Sequence, residues 1–338
     1  MRDAQGRIPY NAIRPPVGAT VPGRPVNTLS KEEMFMPNLS VHFAGLEFSN
    51  PIVTASGTYG FGREYAEYLN LNELGGISVK GLTLHERTGN PSPRMAETAS
   101  GMLNSVGLQN PGVDHFVKYH LPFLRDFDTK IIANISGNTV EEYAIMTEKL
   151  IGSGVHMIEA NVSCPNVKAG GMAFGTSAKG IEEVTRTVKE KADVPVMVKL
   201  SPNVTDIAEM AKAAEGAGAD AICLINTLLG MRIDVNTRRP MLKNNMGGLS
   251  GPAVFPVALR MVYQVAKAVN IPILGMGGVM NGEDAAEMMF AGASLVGLGT
   301  ACFITAQAPI QAKQELSAFL EKQSIDKVTQ LIGKVEMW

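Results

Sequence analysis

Eight short apolar segments recur along this chain, and each ends in small or polar residues. Unbroken apolar runs of this length are typical of strands buried on both faces of a parallel sheet. Helical patterns lie between most of them, so strand and helix alternate. The eight predicted strands are Ile52–Ser56, Ile77–Lys80, Ile131–Ser136, Met157–Ser163, Val196–Ser201, Ala221–Thr227, Ile271–Gly277 and Ser294–Thr300.

This alternation predicts an α/β fold, a closed (β/α)8 TIM barrel. An open doubly wound sheet is the alternative, but residues 58–62 after the first strand read T-Y-G-F-G, which lacks the G-x-G-x-x-G dinucleotide spacing. A capping box, Thr139 with Glu142 three residues on, marks one helix start. The predicted helices are Thr139–Ser153, Ile181–Ala192, Asp206–Ala217, Pro252–Val269 and Gly282–Ala291.

The N-terminal part of the chain has a different character. Five prolines within the first 25 positions predict that residues 1–38 form an extended or partly disordered arm, because proline breaks helices. Leu39–Phe43 and Leu46–Phe48 flank Ala44–Gly45 and predict a β-hairpin. The predicted organisation is therefore an arm at 1–38 and a barrel at 39–338.

Composition excludes several classes of protein. A chain of 338 residues that is 45% hydrophobic and 18% charged can bury a large core. Its net charge of -2 gives no polyanion-binding surface, and no apolar stretch is long enough to span a membrane. We expect no nucleic-acid or membrane partner and a cytoplasmic location, because there is neither a signal peptide nor a disulfide framework.

Neither the cysteines nor the histidines have metal-ligand spacing. The three cysteines, Cys164, Cys223 and Cys302, lie too far apart for a zinc or iron–sulfur site, and the five histidines are scattered. We therefore predict no metal. Cys223 and Cys302 fall in or just after apolar runs, which predicts small core residues.

Polar residues at the strand ends carry the functional signal, since barrel enzymes place their catalytic residues there. Lys80 and Lys199 end two otherwise apolar strands. One such lysine is usually a surface charge, but two in the same barrel mouth would hold an anion. Asparagines at strand ends or in their loops suit a flat ligand with alternating N–H and C=O groups, such as a pyrimidine or a flavin ring, although a single asparagine is most often a turn residue.

Glycine runs follow the seventh and eighth strands, at residues 275–278 and 297–300. This is where barrels commonly bind phosphate through backbone N–H groups, although tight turns also need glycine. Cys164 follows the fourth strand in a loop that contains Gly170 and Gly171. It could serve as a base, or it could be a buried structural thiol.

Several long motifs resemble class 1 dihydroorotate dehydrogenases. They cover the chain from about residue 39 to its end. Residues 173–176 (A-F-G-T) and 225–234 (I-N-T-L-L-G-M-R-I-D) resemble the 1B, NAD-linked type in particular. The arm is longer than the family core needs. The matching segments are residues 104–110, 161–166, 170–175, 199–202, 225–232 and 247–252.

The resemblance implies an FMN enzyme that oxidises dihydroorotate to orotate in pyrimidine biosynthesis. Cys164 would take the proton from ring carbon 5, and Lys199 would stabilise the reduced flavin. The implied substrate residues are Lys80, which pairs with the carboxylate, Asn104, Ser105, Val106, Gly107, Leu108, Asn161, Asn226 and Thr227. The implied FMN residues are Ser56, Lys80, Gly81, Asn134, Asn161, Lys199, Ile225, Gly251, Gly277, Gly278, Gly299 and Thr300.

The 1B type further implies a partner subunit with FAD and a 2Fe–2S cluster, which passes electrons to NAD. Its architecture is a homodimer within a heterotetramer. Three alternatives stay open on the residues alone. The first is a class 1A, fumarate-linked enzyme, the second a flavin barrel resembling dihydropyrimidine dehydrogenase, and the third a flavin-free scaffold.

Overall fold

Eight parallel strands close into a barrel in the computed structural model, which describes residues 36–163 and 174–338. Each strand pairs with the next along the chain, and the eighth pairs with the first. The predicted (β/α)8 barrel is therefore confirmed. The strands are β1 (Ile52–Thr54), β2 (Gly76–Ser78), β3 (Lys130–Ile135), β4 (Met157–Asn161), β5 (Val196–Lys199), β6 (Ala221–Leu224), β7 (Ile273–Met276) and β8 (Leu295–Leu298).

Helices follow β3 to β8 and surround the barrel. They are α1 (Val140–Leu150), α2 (Ala178–Lys191), α3 (Ile207–Gly216), α4 (Phe255–Ala266), α5 (Gly282–Phe290), α6 (Ala301–Ile304) and α7 (Ala308–Lys322). Between β2 and β3 lie three short helical pieces, Val113–His115, Phe116–His120 and Leu121–Leu124, of which the middle one is a π-helix. The 3-10 turns are Leu71–Glu73, Phe174–Thr176, Pro252–Val254 and Val328–Leu331.

Short polar side chains begin several of these helices. Thr139 caps α1 by accepting a hydrogen bond from the N–H of Glu142 at 3.2 Å, as predicted. The return bond of the capping box was predicted wrongly, because the Glu142 carboxylate accepts from the backbone N–H of Asn138 at 2.6 Å. Asp206 and Asn281 cap α3 and α5 in the same way. Each cap satisfies N–H groups that a helix start leaves without partners.

The predicted N-terminal hairpin pairs Val41–Phe43 with Leu46–Phe48. Ala44 and Gly45 both have positive φ, which is the turn geometry that matches the twist of a two-residue hairpin. The sequence did not predict a second, antiparallel sheet formed by the long loops after β2 and β6. Its order is Leu228–Gly230, Gly247–Ser250, Gly101–Asn104 and Met95–Thr98, and a smaller hairpin pairs Ile233–Asp234 with Arg239–Pro240.

The core fills the barrel and the layer between the strands and the helices. Its largest fully buried side chains include Tyr59, Tyr143 and Phe116. Cys223 and Cys302 are buried, which confirms their prediction as core residues. Burial raises the pKa of the Cys302 thiol to about 12 and that of Cys223 well above its usual value. In the part of the chain that the structure describes, no helix could cross a membrane.

Candidate active site

The carboxyl ends of the barrel strands carry a layer of polar side chains. Asn134 of β3 is the register partner of Glu159 on β4, and Asn161 of β4 is the partner of Lys199 on β5. Side chains two residues apart on a strand share a face, so Glu159 and Asn161 both belong to the face that lines the barrel. All four are buried. A barrel interior normally holds branched apolar residues, so this layer is a candidate active site.

Lys199 lies at the centre of the polar layer and is 3% exposed. Its Nζ donates to Oγ of Ser56 at 3.0 Å, at the end of β1 on the opposite side of the barrel. The same Nζ lies 3.1 Å from Oε1 of Glu159. Burial disfavours the ammonium, but Glu159, followed by Cys223, favours it, and together they raise the pKa of Lys199. Lys199 is therefore a charged group inside the barrel.

Glu159 and Ser78 were missed in the sequence. Glu159 is fully buried, and its Oε2 accepts a hydrogen bond from Oγ of Ser78 on β2. Each lies two residues before a residue that was predicted, Asn161 and Lys80 respectively. Side chains two residues apart on a strand share a face, so the positions two before Asn161 and Lys80 were the signal in the sequence for both residues.

Lys80 follows β2 and is half-buried at the same end of the barrel. Its backbone N–H donates to the carbonyl of Gly60 at 2.9 Å. Burial lowers the pKa of its ammonium, and the charge of Arg94 lowers it further. Within residues 36–163 and 174–338, Lys80 has no salt bridge. A half-buried cation without an acidic partner favours an anionic ligand.

Asn161 and Asn226 join the ends of β4 and β6. Nδ2 of Asn226 donates to Oδ1 of Asn161 at 3.3 Å, and the N–H of Ser163 donates to the same oxygen at 3.2 Å. Oδ1 of Asn226 accepts from the N–H of Thr227 at 2.8 Å. These bonds fix the orientation of both amides, and they leave Nδ2 of Asn161 as a donor for a ligand.

Among the described residues, the side chain of Asn134 has no hydrogen-bond partner. The residue is fully buried, yet neither Nδ2 nor Oδ1 makes a hydrogen bond to any other described residue. Gly81 is its neighbour, since a Cβ there would lie 2.9 Å from Oδ1 of Asn134. Buried amides are nearly always satisfied, so this one marks a place for a ligand with both a donor and an acceptor.

The loop between β2 and β3 returns to the mouth through residues 104–108. Asn104 donates through Nδ2 to the carbonyl of Gly248 at 3.5 Å. Leu108 has positive φ, and its Cδ2 would lie 3.0 Å from a Cβ at Gly81. Asn110 holds this shape, since its Nδ2 donates to the carbonyl of Leu108 at 2.7 Å. The stretch Ser105, Val106 and Gly107 lies between Asn104 and Leu108 and is half-buried.

A glycine corner lies at the ends of β7 and β8. A Cβ at Gly278 would lie 2.8 Å from the carbonyl oxygen of Gly251, and a Cβ at Gly251 would lie 3.5 Å from Cγ2 of Thr300. Oγ1 of Thr300 donates to Oγ of Ser250 at 2.8 Å. The N–H groups of Gly278, Gly299 and Thr300 donate to no other described residue. Such a corner can cradle a phosphate.

Two predicted FMN residues lie just outside that corner. A Cβ at Gly277 would lie 3.0 Å from Cγ1 of Ile225, which is buried at the end of β6.

Cys164, the predicted base, lies outside the described residues, as do Gly170 and Gly171 of its loop. The arm at 1–38 lies outside them up to residue 35. No group of three or more His, Cys, Asp or Glu side chains is placed to hold a metal among residues 36–163 and 174–338.

The described residues fit FMN. Among residues 36–163 and 174–338, the N–H groups of the glycine corner and the amide of Asn134 have no hydrogen-bond partner, so they offer donors for a phosphate and a donor and an acceptor for the edge of a flavin ring. Lys199 supplies a buried positive charge, which favours the negative charge that a flavin gains on reduction.

Known proteins resemble this chain over most of its length. The family model for dihydroorotate dehydrogenase matches residues 38–320. A protein of Alkaliphilus oremlandii is 56% identical over 298 residues, which are 88% of this chain and 99% of its own length. Relatives from Desulforamulus reducens and Geobacter sp. strain M21 are 54% and 52% identical over 301 and 305 residues, which are 89% and 90% of this chain and 99% and 100% of their own lengths.

All three relatives are named dihydroorotate dehydrogenase B (NAD(+)), catalytic subunit. The matched region contains all eight barrel strands and every predicted site residue. On this similarity, the chain belongs to the dihydroorotate dehydrogenase family, in its class 1B.

Proposed function

We propose that this chain is the catalytic subunit of a dihydroorotate dehydrogenase, which oxidises dihydroorotate to orotate in pyrimidine biosynthesis. The observation that carries the proposal is the half-buried Lys80 ammonium, which has no acidic partner in the described part of the chain and lies at the same barrel end as the Asn161–Asn226 amide pair. Dihydroorotate is a ring of alternating N–H and C=O groups with one carboxylate. A cation and oriented amides are the complement of that shape.

The substrate would be held by residues from three parts of the mouth. Lys80 pairs with the carboxylate, and the amides of Asn161 and Asn226 orient the ring. Thr227 and the segment Asn104, Ser105, Val106, Gly107 and Leu108 enclose it from the loops. This arrangement fixes the ring so that carbons 5 and 6 face the reacting groups.

The cofactor would be FMN, held by Ser56, Lys80, Gly81, Asn134, Asn161, Lys199, Ile225, Gly251, Gly277, Gly278, Gly299 and Thr300. Bound FMN supplies the acceptor for the hydride that leaves carbon 6. Lys199 holds a positive charge where negative charge develops, and Asn134 orients the ring by accepting and donating hydrogen bonds.

Cys164 would remove the proton from carbon 5. The thiolate takes that proton as the hydride leaves carbon 6, so the electron pair of the C5–H bond forms the C5=C6 double bond of orotate. The substrate loses two electrons and two protons in balance. An ordinary thiol has a pKa of about 8.5, so modest activation suffices for this role.

The electrons would leave through a second subunit that carries FAD and a 2Fe–2S cluster and reduces NAD, in a heterotetramer built on a homodimer of this chain. The relatives' name, with NAD(+) and a catalytic subunit, supports this. Such a cluster needs four ligands, mostly cysteines. This chain has three cysteines, two of them in the core.

A cytoplasmic location also stays a prediction.

The decisive experiment is an absorbance titration of the purified chain under anaerobic conditions. We expect a flavin spectrum that bleaches with dihydroorotate and does not bleach with dihydrouracil, which lacks the carboxylate. Cys164→Ala should nearly abolish the bleaching, whereas Cys164→Ser should slow it and shift its pH dependence upward. Normal bleaching of Cys164→Ala would contradict the assignment of the base, and a preference for dihydrouracil would contradict the substrate.

The electron acceptor is tested separately. We expect turnover with NAD only when an FAD and iron–sulfur subunit is added to this chain. Turnover with fumarate by the chain alone would contradict the NAD-linked assignment. A colourless chain that takes up no added FMN would contradict the whole proposal and favour a scaffold.

A further inference from the structure

A buried ion pair lies inside the barrel, below the amides of the mouth. Glu159 is fully buried and Lys199 is 3% exposed, and their charged atoms are 3.1 Å apart. Acidic and basic side chains are rarely buried to this degree, because the cost of removing two charges from water often exceeds their attraction. The proposed reaction uses Lys199, but it gives no role to Glu159.

The carboxylate of Glu159 is held by Ser78 on the side away from Lys199. Its Oε2 accepts from the Ser78 hydroxyl on β2, while its Oε1 faces Nζ of Lys199. Oε1 has no aligned hydrogen-bond donor among the described residues, so its contact with Lys199 is an ion pair. On its other side, the ammonium donates to Ser56 at the end of β1. Lys199 therefore lies between a fixed acid and the opposite wall of the barrel.

Glu159 also decides the charge of Lys199. Burial lowers the pKa of a lysine, and the titratable groups that act on Lys199 in the described chain are Glu159 from β4 and Cys223 from β6. The Cys223 thiol is buried, which raises its pKa and keeps it neutral. The Glu159 carboxylate is then the counter-charge that keeps Lys199 protonated.

We propose that Glu159 is a positioning residue for the reaction: it keeps the Lys199 ammonium charged and holds it at the barrel mouth. Its part in the chemistry rests on the proposed function, since Lys199 acts where reduction creates negative charge. Its effect on Lys199 itself does not, and can be measured without any substrate.

The first test is a pH titration of Lys199 in the full chain as purified, followed by NMR with 13C-labelled lysine and assigned with Lys199→Met. We expect the wild-type ammonium to keep its proton to at least the ordinary value of about 10.4. Glu159→Gln should lower that midpoint by at least about one pH unit, a tenfold loss of proton affinity, and Glu159→Asp should recover part of it.

Glu148→Gln is the matched control. It removes another glutamate–lysine pair, the exposed contact of Glu148 with Lys191 at 2.7 Å, and should leave the Lys199 midpoint unchanged. An unchanged midpoint in Glu159→Gln would overturn the proposal. If that variant does not fold, the wild type still decides, because a Lys199 that deprotonates below about pH 9 would overturn it as well.

The second test is the reduction potential of bound FMN as a function of pH. At low pH, Glu159→Gln leaves the Lys199 charge uncompensated, so its potential should exceed that of the wild type. At high pH its Lys199 is neutral, so its potential should fall below the wild type and the two curves should cross. Parallel curves would overturn the proposal. A wild-type chain that dihydroorotate cannot reduce would instead contradict the proposed function and leave the NMR result standing.

Discussion

Gly81 and Asn134 are neighbours at the ends of the adjacent strands β2 and β3, such that a Cβ on Gly81 would lie 2.9 Å from Oδ1 of Asn134. The same Cβ would lie 3.0 Å from Cδ2 of Leu108, so there is no room for a side chain between β2, β3 and the long loop. The amide of Asn134 is buried and makes no hydrogen bond to another described residue. The close approach of Gly81 and an amide with no hydrogen bond to the described residues together form a candidate receptor for one edge of a planar ligand.

Gly81→Ala should weaken FMN binding. The added methyl group would press on Asn134 and Leu108, and overpacking of this kind costs about 1–3 kcal/mol, or roughly 30-fold in affinity at about 2 kcal/mol. Titration of the flavin-free chain with FMN, followed by quenching of flavin fluorescence, measures the change. Gly216→Ala, where a Cβ meets nothing within 4 Å, is the control and should bind FMN normally. Equal affinity in both variants would rule out this contact.

Asn134→Leu should separate ligand binding from stability. Leucine has the same branching and number of side-chain heavy atoms, and it removes a buried amide with no partner among the described residues, so the flavin-free chain should unfold at an equal or higher urea concentration, with a gain of up to about 1 kcal/mol. FMN affinity should fall, because the ring edge loses a donor and an acceptor. Urea unfolding and the fluorescence titration give the two numbers. A less stable flavin-free chain would indicate that the amide serves the fold.

Orotate binding should weaken at alkaline pH because of Lys80. The carboxylate of orotate stays negative, whereas Lys80 is charged only below its pKa, which burial and Arg94 lower. The loss should therefore begin below the ordinary lysine value of about 10.4. Flavin absorbance can follow orotate binding across pH.

Arg94→Gln should move this alkaline loss to higher pH, because it removes one cause of the lowered pKa. Lys80→Met should weaken orotate binding at neutral pH, where the wild-type ammonium is charged, and should abolish the transition. Lys118→Gln, which removes a different and exposed lysine, is the control. A transition that persists in Lys80→Met would assign it to another group.

Gly248→Ala should raise the KM for dihydroorotate and leave FMN affinity unchanged. A Cβ at Gly248 would lie 2.0 Å from Oγ1 of Thr227, so Thr227 must move. We expect an increase of about tenfold, the cost of modest overpacking. Steady-state kinetics and the FMN titration distinguish the two sites. A loss of FMN affinity instead would place Thr227 on the flavin side.

The sequence predicted the barrel because its local signals agree. Each apolar run of a parallel strand is buried on both faces, and helix caps such as Asp206 act on neighbouring residues only. Lys80, Lys199, Asn134 and Asn161 could be found because parallel strands bring all their carboxyl ends to one side.

The antiparallel sheet over residues 95–104 and 228–250 could not be predicted in this way. Its strands are short and contain several glycines, and the pairing that joins its two halves spans a long distance in sequence, as between Gly248 and Asn104. Such pairing depends on where the barrel places the two loops, because the strands themselves have little β-propensity.

The sequence alone determined the α/β barrel, the residues at its strand ends and the family to which they belong. The tertiary structure decided which of those residues have partners. It paired Lys199 with Glu159, joined Asn161 to Asn226, and left Lys80 without an acid and Asn134 without a hydrogen bond among the described residues. The physical reason is that charge pairing and satisfaction of hydrogen bonds depend on distances across the barrel, between residues that are far apart in the chain.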